Sequence, residues 1–169
     1  MKKYELTSET KIVFGHILYR IKALSSFGYV SAGDLGGFLE SEKNLSQNGN
    51  AWVSGNAWVS GNAEVSGDAR VSGDARVYGN AEVSGNAEVS EIGAIFWIGA
   101  VGSRNDTATF FRCRDGSIKV VCGCFFGNLD EFAKKVRKTH GDNDHAKVYM
   151  LAIDMAKIRI STEKEKTEE

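Results

Sequence analysis

Residues 51–90 read AWVSGN-AWVSGN-AEVSGD-ARVSGD-ARVYGN-AEVSGN-AEVS, and this six-residue repeat decides the fold of the middle of the chain. A short fixed period is typical of a stacked solenoid, and a hexapeptide period indicates a β-helix. Only the first and third positions of each repeat, alanine and valine, are consistently apolar. We therefore expect these two positions to face a narrow interior, and the Gly-Asn or Gly-Asp pair to form a corner.

The repeat resembles the left-handed parallel β-helix of the hexapeptide-repeat family, over residues 45 to about 92. The resemblance implies triangular coils of three hexapeptides each, and it implies a homotrimer. In such coils Trp52 lies over Arg70 and Trp58 lies over Arg76 on the outer face. We expect the two tryptophans to form a subunit contact there.

The composition is that of a soluble globular protein, because the 169 residues are 42% hydrophobic and 25% charged. The opening MKKYELTSET lacks the apolar segment of a signal peptide, and the longest apolar run is too short to span a membrane. Three cysteines, an odd number, favour a reducing compartment without structural disulfides. The sequence therefore predicts a cytoplasmic protein that does not bind membranes.

Charge is divided unevenly along the chain. Residues 51–93 hold two arginines against six acidic residues, a net charge of −4. Residues 94–160 hold eleven lysines and arginines against seven acidic residues, a net charge of +4. The C-terminal part is therefore the better candidate to bind an anion, whereas the absence of a nucleic-acid-binding motif disfavours sequence-specific recognition of DNA or RNA.

The segments before the repeat predict a hairpin and a cap. The alternation of apolar and polar residues favours strands at 11–14 and 17–24, around a turn at Gly15 and His16. Residues 25–50 are rich in glycine and polar residues, which is typical of an irregular terminal coil. The sequence thus predicts an N-terminal capping segment, a β-helix, an α+β domain and a disordered charged tail, at 1–44, 45–92, 93–160 and 161–169.

After the repeat, the sequence predicts a buried strand at 94–101 and then a β-hairpin. Asp115-Gly116 favours a two-residue turn, which would pair Cys113 with Ile118. In that register, Arg112 and Lys119 face each other on a basic, solvated side of the hairpin.

Two helices are predicted beyond the hairpin. Asn128 and Glu131 have the spacing of a capping box, and Gly141 is suited to end the helix that they begin. A second amphipathic segment is expected to be helical from 145 to about 156.

Two stretches also resemble proteins encoded by bacteriophages and prophages. The first is AGDLGGFLESEKNLSQNGNAWV at 32–53, and the second combines GSRNDT at 102–107, CGCFFGNLDEF at 122–132 and THGDN at 139–143. Together they span residues 32–143, with the hexapeptide repeats between them. The resemblance implies a small phage-type protein of the host bacterial cytosol, and it leaves the biochemical role open.

The GSRNDT segment contains the strongest candidate for a ligand site. Ser103 and Thr107 offer hydroxyl donors, and the guanidinium of Arg104 suits a phosphate or a carboxylate. Asp106 lies in the same segment, and His140 ends the basic helix, so we take these five residues as candidate ligand-binding residues. The alternative is an ordinary polar loop in which Arg104 pairs with Asp106 at the surface.

Cys122 and Cys124 raise the question of a metal or a nucleophile beside His140. No second cysteine pair exists, and the predicted strand face belongs to the core. Buried cysteines that act as small hydrophobic residues are therefore the favoured interpretation, and neither a metal nor a cofactor is expected.

Many hexapeptide-repeat proteins are acyltransferases that use a histidine base on a coil. The three histidines of this chain, His16, His140 and His145, all lie outside the repeat. The resemblance therefore supplies no catalytic residue at a matching position.

Taken together, the sequence predicts a mainly β protein in which a short left-handed β-helix precedes a small α+β domain. We expect a non-catalytic homotrimer that binds a small anionic ligand, such as a nucleotide, in clefts between subunits. Phage proteins that sequester host nucleotide signals provide an anti-defence analogy. Two alternatives stay open: a scaffold that binds a host or phage protein, and an acyltransferase with a relocated base.

Overall fold

The computed structural model describes residues 2–160, which form mainly strands, with two α-helices near the end of this range. The chain divides into two compact units, Met1–Ile92 and Gly93–Glu169. The strands are β1 Tyr4–Val13, β2 His16–Ala23, β3 Leu35–Leu39, β4 Trp52–Val53, β5 Trp58–Val59, β6 Glu64–Val65, β7 Arg70–Val71, β8 Arg76–Val77, β9 Glu82–Val83, β10 Glu88–Val89, β11 Ile95–Val101, β12 Asp106–Arg112, β13 Ile118–Cys122 and β14 Phe125–Asn128. The helices are α1 Leu129–His140 and α2 Asp144–Arg159.

The repeat forms two-residue strands that stack in parallel. Trp52 pairs with Arg70, and Arg70 pairs with Glu88, so the register advances by 18 residues from one strand to the next. The same offset joins β5 to β8 and β6 to β9. Each 18-residue turn of the chain therefore adds one strand to each of three parallel ladders.

The interior of these turns is made of the two small apolar positions of the repeat. Every repeat alanine from Ala51 to Ala87 and every repeat valine from Val53 to Val89 is fully buried, which confirms the predicted inward orientation. The corner glycines have φ between +59° and +73°, a region that glycine adopts without steric cost. The corners are also linked by side chains, since the Asn50 amide donates to Asp68 at 2.8 Å.

The first turn of the chain is irregular, as the sequence predicts. Phe38 pairs with Trp58 and Leu39 with Val59, an offset of 20 residues instead of 18. The buried Asn44 fills this irregularity, because its amide donates to the Ala63 carbonyl at 2.8 Å and to the Gly61 carbonyl at 3.1 Å. A side-chain amide thus replaces regular backbone pairing at this end of the ladders.

The N-terminal hairpin is longer than the sequence pattern indicates. β1 begins at Tyr4, and its turn is formed by Phe14 and Gly15, both at positive φ. β2 pairs antiparallel with β3, whereas β3 pairs parallel with β5, so the hairpin continues a face of the repeat. Residues 5–11 are mostly polar, so they lack the alternation of apolar and polar residues that predicts a strand.

The expected exposure of the two tryptophans is wrong, because the chain's own aromatic residues cover them. Trp52 is 2% exposed, with Tyr4 at 6.3 Å and Phe27 at 5.5 Å between ring centroids. Trp58 is 7% exposed, with Phe14 edge-on at 6.4 Å and Tyr78 stacked at 5.6 Å. Little indole surface is left for the subunit contact that the sequence suggests.

Arg70 shows a related departure from the expected column of arginine over indole. Its guanidinium carbon lies 3.9 Å from the centre of the Tyr29 ring. The residues before the repeat therefore supply the aromatic partner, which spacing within the repeat alone does not reveal.

Lys3 is a buried cation in this unit. Its Nζ donates to the Ala51 carbonyl at 2.9 Å and lies 4.9 Å from the centre of the Phe27 ring. Burial lowers the pKa of Lys3 to about 8 from its ordinary 10.5. The ammonium is thus less favoured in the folded chain than in water.

Replacing Lys3 with methionine is expected to change how stability depends on pH. The unfolded lysine keeps its proton up to about pH 10.5 and the folded lysine loses it near pH 8, so raising the pH between these values favours folding. The wild-type free energy of unfolding is therefore expected to rise by ~1–3 kcal/mol relative to Lys3→Met across this interval. Urea unfolding from pH 7 to pH 11 measures the difference, and equal slopes for both proteins would contradict it.

The exposed neighbour Lys2 provides a matched control for this experiment. Its ammonium pairs with Glu42 at the surface. Lys2→Met is expected to follow the wild-type pH profile, because the substitution is at the surface and leaves the buried Lys3 in place.

The second unit consists of the antiparallel sheet β11-β12-β13-β14 and the helices α1 and α2. Phe110 and Val120 of the sheet pack with Phe132 of α1 and with Tyr149 and Ile153 of α2 in one core. Both predicted helices are thus confirmed, and they cover one face of the sheet.

The predicted hairpin register is wrong by one residue. The Cys113 amide donates to the Ser117 carbonyl at 2.8 Å, so the loop has three residues and ends with Gly116 at φ +81°. Three-residue loops that end in a left-handed glycine are a common alternative to the two-residue turn. As a result Phe111 faces Lys119, and Arg112 is buried, so the two cations do not share a solvated face.

Both helices begin at side-chain caps. The Glu131 amide donates to Asn128 Oδ1 at 2.8 Å and the Asn128 amide donates to Glu131 Oε2 at 2.9 Å, which confirms the capping box. α2 begins after Asn143 and continues to Arg159, three residues beyond the predicted end at 156. The predicted disordered tail, 161–169, lies outside the described residues. No helix in 2–160 is long and apolar enough to cross a membrane.

Candidate functional site

A cavity of about 110 Å³ lies in the C-terminal unit, where the ends of several elements meet. The β11–β12 loop, the end of β13, the turn that follows it, the start of β14, and both helices contribute to its wall. The lining residues are Arg104, Cys122, Cys124, Phe125, Phe132, Lys135, Val136, Thr139, His140 and Tyr149.

The cavity brings together two of the residues selected from the sequence. Arg104 reaches it from the β11–β12 loop, and His140 reaches it from the last position of α1. Lys135 adds a second permanent cation from the same helix. Two cationic side chains and an imidazole therefore line one small cavity, and none of the residues that line it is acidic.

The other three candidate residues lie beside the cavity and do not line it. Ser103 is exposed, and the Thr107 amide donates to Asp106 Oδ1 at 2.9 Å. Arg104 and Asp106 share the space above Gly123, since a side chain built there would come within 2.7 Å of Arg104 Nη2 and 3.1 Å of Asp106 Oδ2. Asp106 therefore lies near Arg104 at Gly123 but does not line the cavity.

Tyr149 supplies a neutral hydroxyl in the cavity wall. Burial raises the pKa of Tyr149 well above its ordinary value, and the nearby Cys122 thiol, at 3.7 Å, and Asp106 raise the pKa further. The ring of Tyr149 also stacks on His140, with 5.9 Å between ring centroids. The hydroxyl thus stays protonated at neutral pH and is available as a donor.

Two glycines leave the space that these side chains occupy. Gly102 has φ +71°, and a Cβ at that position would overlap the Tyr149 hydroxyl. Gly123 has φ +57°, and a Cβ there would meet Arg104. The GSRNDT and CGC segments singled out in the sequence therefore meet here. Their glycines adopt a positive φ and leave space for Tyr149 and Arg104, so any other residue at these positions would be strained.

The floor of the cavity is apolar. Phe132 and Val136 come from the buried face of α1, and the Phe125 ring lies 5.1 Å from that of Phe132. The volume of about 110 Å³ is below the ~300–1,000 Å³ of pockets that enclose a drug-sized ligand. It accommodates a phosphate, a carboxylate or another group of a few heavy atoms, with cations around it.

The two cysteines at the cavity differ in exposure. Cys122 is buried, in agreement with its interpretation as a small hydrophobic residue, whereas Cys124 is exposed. β13 ends at Cys122, so Cys124 belongs to a turn, and its predicted position in the core is wrong. Within residues 2–160, no group of three or more His, Cys, Asp and Glu side chains is arranged to hold a metal ion.

The sequence analysis does not identify three residues that line the cavity, Lys135, Thr139 and Tyr149. Lys135 and Thr139 look like members of a solvated helix face, and Tyr149 looks like an ordinary core residue. A usable signal exists for the first two, because they lie next to the buried positions 132 and 136 on the helix surface. Which strand end meets that helix edge depends on the tertiary fold.

A search against protein-family models finds no match, and a search of curated proteins finds no significantly similar sequence.

Proposed function

We propose that this chain is a non-catalytic binding protein whose C-terminal unit holds the acidic group of a small ligand. The observation that carries the proposal is the convergence of Arg104, Lys135 and His140 on one small cavity. Cations that surround a restricted volume favour a phosphate or carboxylate, since charge-assisted hydrogen bonds are about twice as strong as neutral ones. Arg104 and His140 are 36 residues apart in the sequence, and the fold brings both to the cavity, which supports a specific site.

The size of the cavity defines how a larger ligand would bind. At about 110 Å³ it holds an acidic group but not a whole nucleotide, whose base and sugar would lie along the exposed loop around Ser103. The site lies inside one C-terminal unit, so this proposal replaces the subunit cleft expected from the sequence. Host-signal sequestration by a phage-type protein is the biological setting that the resemblance suggests.

We also propose the finer architecture that the family resemblance implies. The 18-residue offset, the glycine corners and the alanine–valine interior support a β-helix of hexapeptide repeats, and the left-handed sense and the homotrimer come from the resemblance. Two tryptophans buried within the chain mean that a trimer would use other surfaces.

The test is isothermal titration calorimetry of the full chain with orthophosphate, acetate and a nucleoside monophosphate. We expect at least one of these anions to bind saturably. Arg104→Ala is expected to weaken that binding by about tenfold to a hundredfold, because a hydrogen bond to a charged group contributes about 1.5–3 kcal/mol.

Arg114→Ala is the matched control. Arg114 is an exposed arginine in the β12–β13 loop and does not line the cavity. The proposal predicts that this variant binds like the wild type and that both variants keep the wild-type melting temperature without ligand. Equal losses in the two variants would indicate general charge attraction, and an absence of binding to all three anions would overturn the proposal.

A further inference from the structure

The outward face of α2 carries a continuous apolar stripe. Its members are large and exposed: Val148 is 40% exposed, Leu151 63%, Met155 50% and Ile158 86%. The opposite face of the same helix supplies the core through residues such as Tyr149 and Ile153. The helix is thus apolar on both sides, and only one side is covered within the described chain.

The spacing of the stripe is that of a coiled-coil seam. The four residues follow one another at intervals of three, four and three, as the a and d positions of two heptads do. At about 100° per residue, they lie within an arc of roughly 80°. A narrow, regular seam of this kind is what a helix presents to another helix in a coiled coil.

Residues 161–169 read STEKEKTEE and contain no apolar side chain that could cover the stripe. A second helix with an apolar seam of its own would bury it.

The charges beside the stripe favour a second copy of the same helix. Asp154, whose Oδ1 lies 4.0 Å from Lys157 Nζ, is on one flank and Arg159 is on the other, five residues apart, which is the spacing of the g and e′ positions that pair between parallel helices. Lys147, on the same flank as Asp154, is neutralised by Asp144 at 2.9 Å. The edges of the stripe are therefore complementary to themselves and do not repel an identical helix.

We propose that α2 packs along α2 of a second copy of this chain through Val148, Leu151, Met155 and Ile158. The seam is only two heptads long, so the contact is weak by itself, and association depends on concentration unless a second interface adds to it. This inference does not depend on the proposed anion site, because none of the four residues lines the cavity.

Sedimentation velocity of the full chain over a wide concentration range tests the contact. We expect the weight-average mass of the wild type to rise with concentration. The double variant Leu151→Glu with Ile158→Glu is expected to raise the dissociation constant at least tenfold, because two exposed positions of the seam become charged and lose their apolar burial.

Two controls separate the seam from general effects of charge and folding. Ser8→Glu with Thr10→Glu adds the same charge at exposed positions of β1 and should associate like the wild type. Leu151→Met with Ile158→Leu keeps the stripe apolar and should also associate. A wild type that stays monomeric, or an assembly that is unchanged by the two glutamates at 151 and 158, would overturn the proposal; so would an equal loss in the variant at 8 and 10.

Discussion

Trp52→Ala is expected to lower the free energy of unfolding of the N-terminal unit by about 3–5 kcal/mol, as for other buried tryptophans. The indole is almost fully buried and is enclosed by Tyr4 and Phe27. Its removal leaves a cavity between the first strand of the hairpin and the stacked repeat, and neither side can collapse onto the other without moving backbone. Urea unfolding followed by circular dichroism measures the change.

Tyr78→Ala is the control for this substitution. Tyr78 is an exposed aromatic residue of the same unit that stacks on Trp58. Its loss is expected to cost about 1 kcal/mol, because Tyr78 is already 45% exposed and loses less buried area than Trp52. If Trp52→Ala costs no more than Tyr78→Ala, and instead dissociates an oligomer, then the indole serves a subunit contact and the structural account of this region is wrong.

Phe132→Ala is expected to destabilise the C-terminal unit by about 3–5 kcal/mol and to weaken ligand binding. The ring is 3% exposed and contacts Phe110, Phe125 and Tyr149, with centroids 5.1–6.1 Å away. Because Phe132 also forms the floor of the cavity, its removal lets Tyr149 and His140 move. Thermal unfolding and calorimetry on the same samples measure the two effects.

A neighbouring phenylalanine separates these effects from simple loss of a ring. Phe126 is exposed and lies under the Lys119 ammonium at 5.0 Å, outside the cavity. Phe126→Ala is expected to change stability by less than ~1 kcal/mol and to leave binding unchanged. Normal ligand affinity in folded Phe132→Ala would show that the cavity is not where the ligand binds.

The repeat region illustrates what periodicity can predict. The repeat alanines and valines between positions 51 and 89 face inward as expected, because a fixed period places every equivalent residue in an equivalent environment. The covering of Trp52 by Tyr4 was not predictable in this way, since it joins the repeat to a segment of different sequence. Local patterns reveal the face of a strand but not the element that packs on it.

The hairpin shows a different limit. Asp115-Gly116 marks the turn correctly, but the same pair fits a two-residue loop and a three-residue loop, and the choice shifts the register by one. That shift moves Arg112 into a buried position. A register error of a single residue therefore removes the basic hairpin face that the sequence suggests.

The candidate site was also predictable only in part. Arg104 and His140 stand out by residue type and by position at the ends of elements, and both line the cavity. Ser103 and Thr107 have suitable chemistry but do not line the cavity, since Ser103 is exposed in the loop and Thr107 belongs to β12. Lys135 and Tyr149 join the site only through the packing of α1 and α2.

The most direct test of the anion site is a ¹H–¹⁵N correlation spectrum of the full chain, titrated with the anion that binds most tightly in the calorimetric series. The account predicts saturable shifts concentrated at 102–107, 122–125 and 135–140, and their loss in Arg104→Ala. Saturable shifts centred on the repeat region, or an unchanged spectrum at millimolar anion, would contradict it.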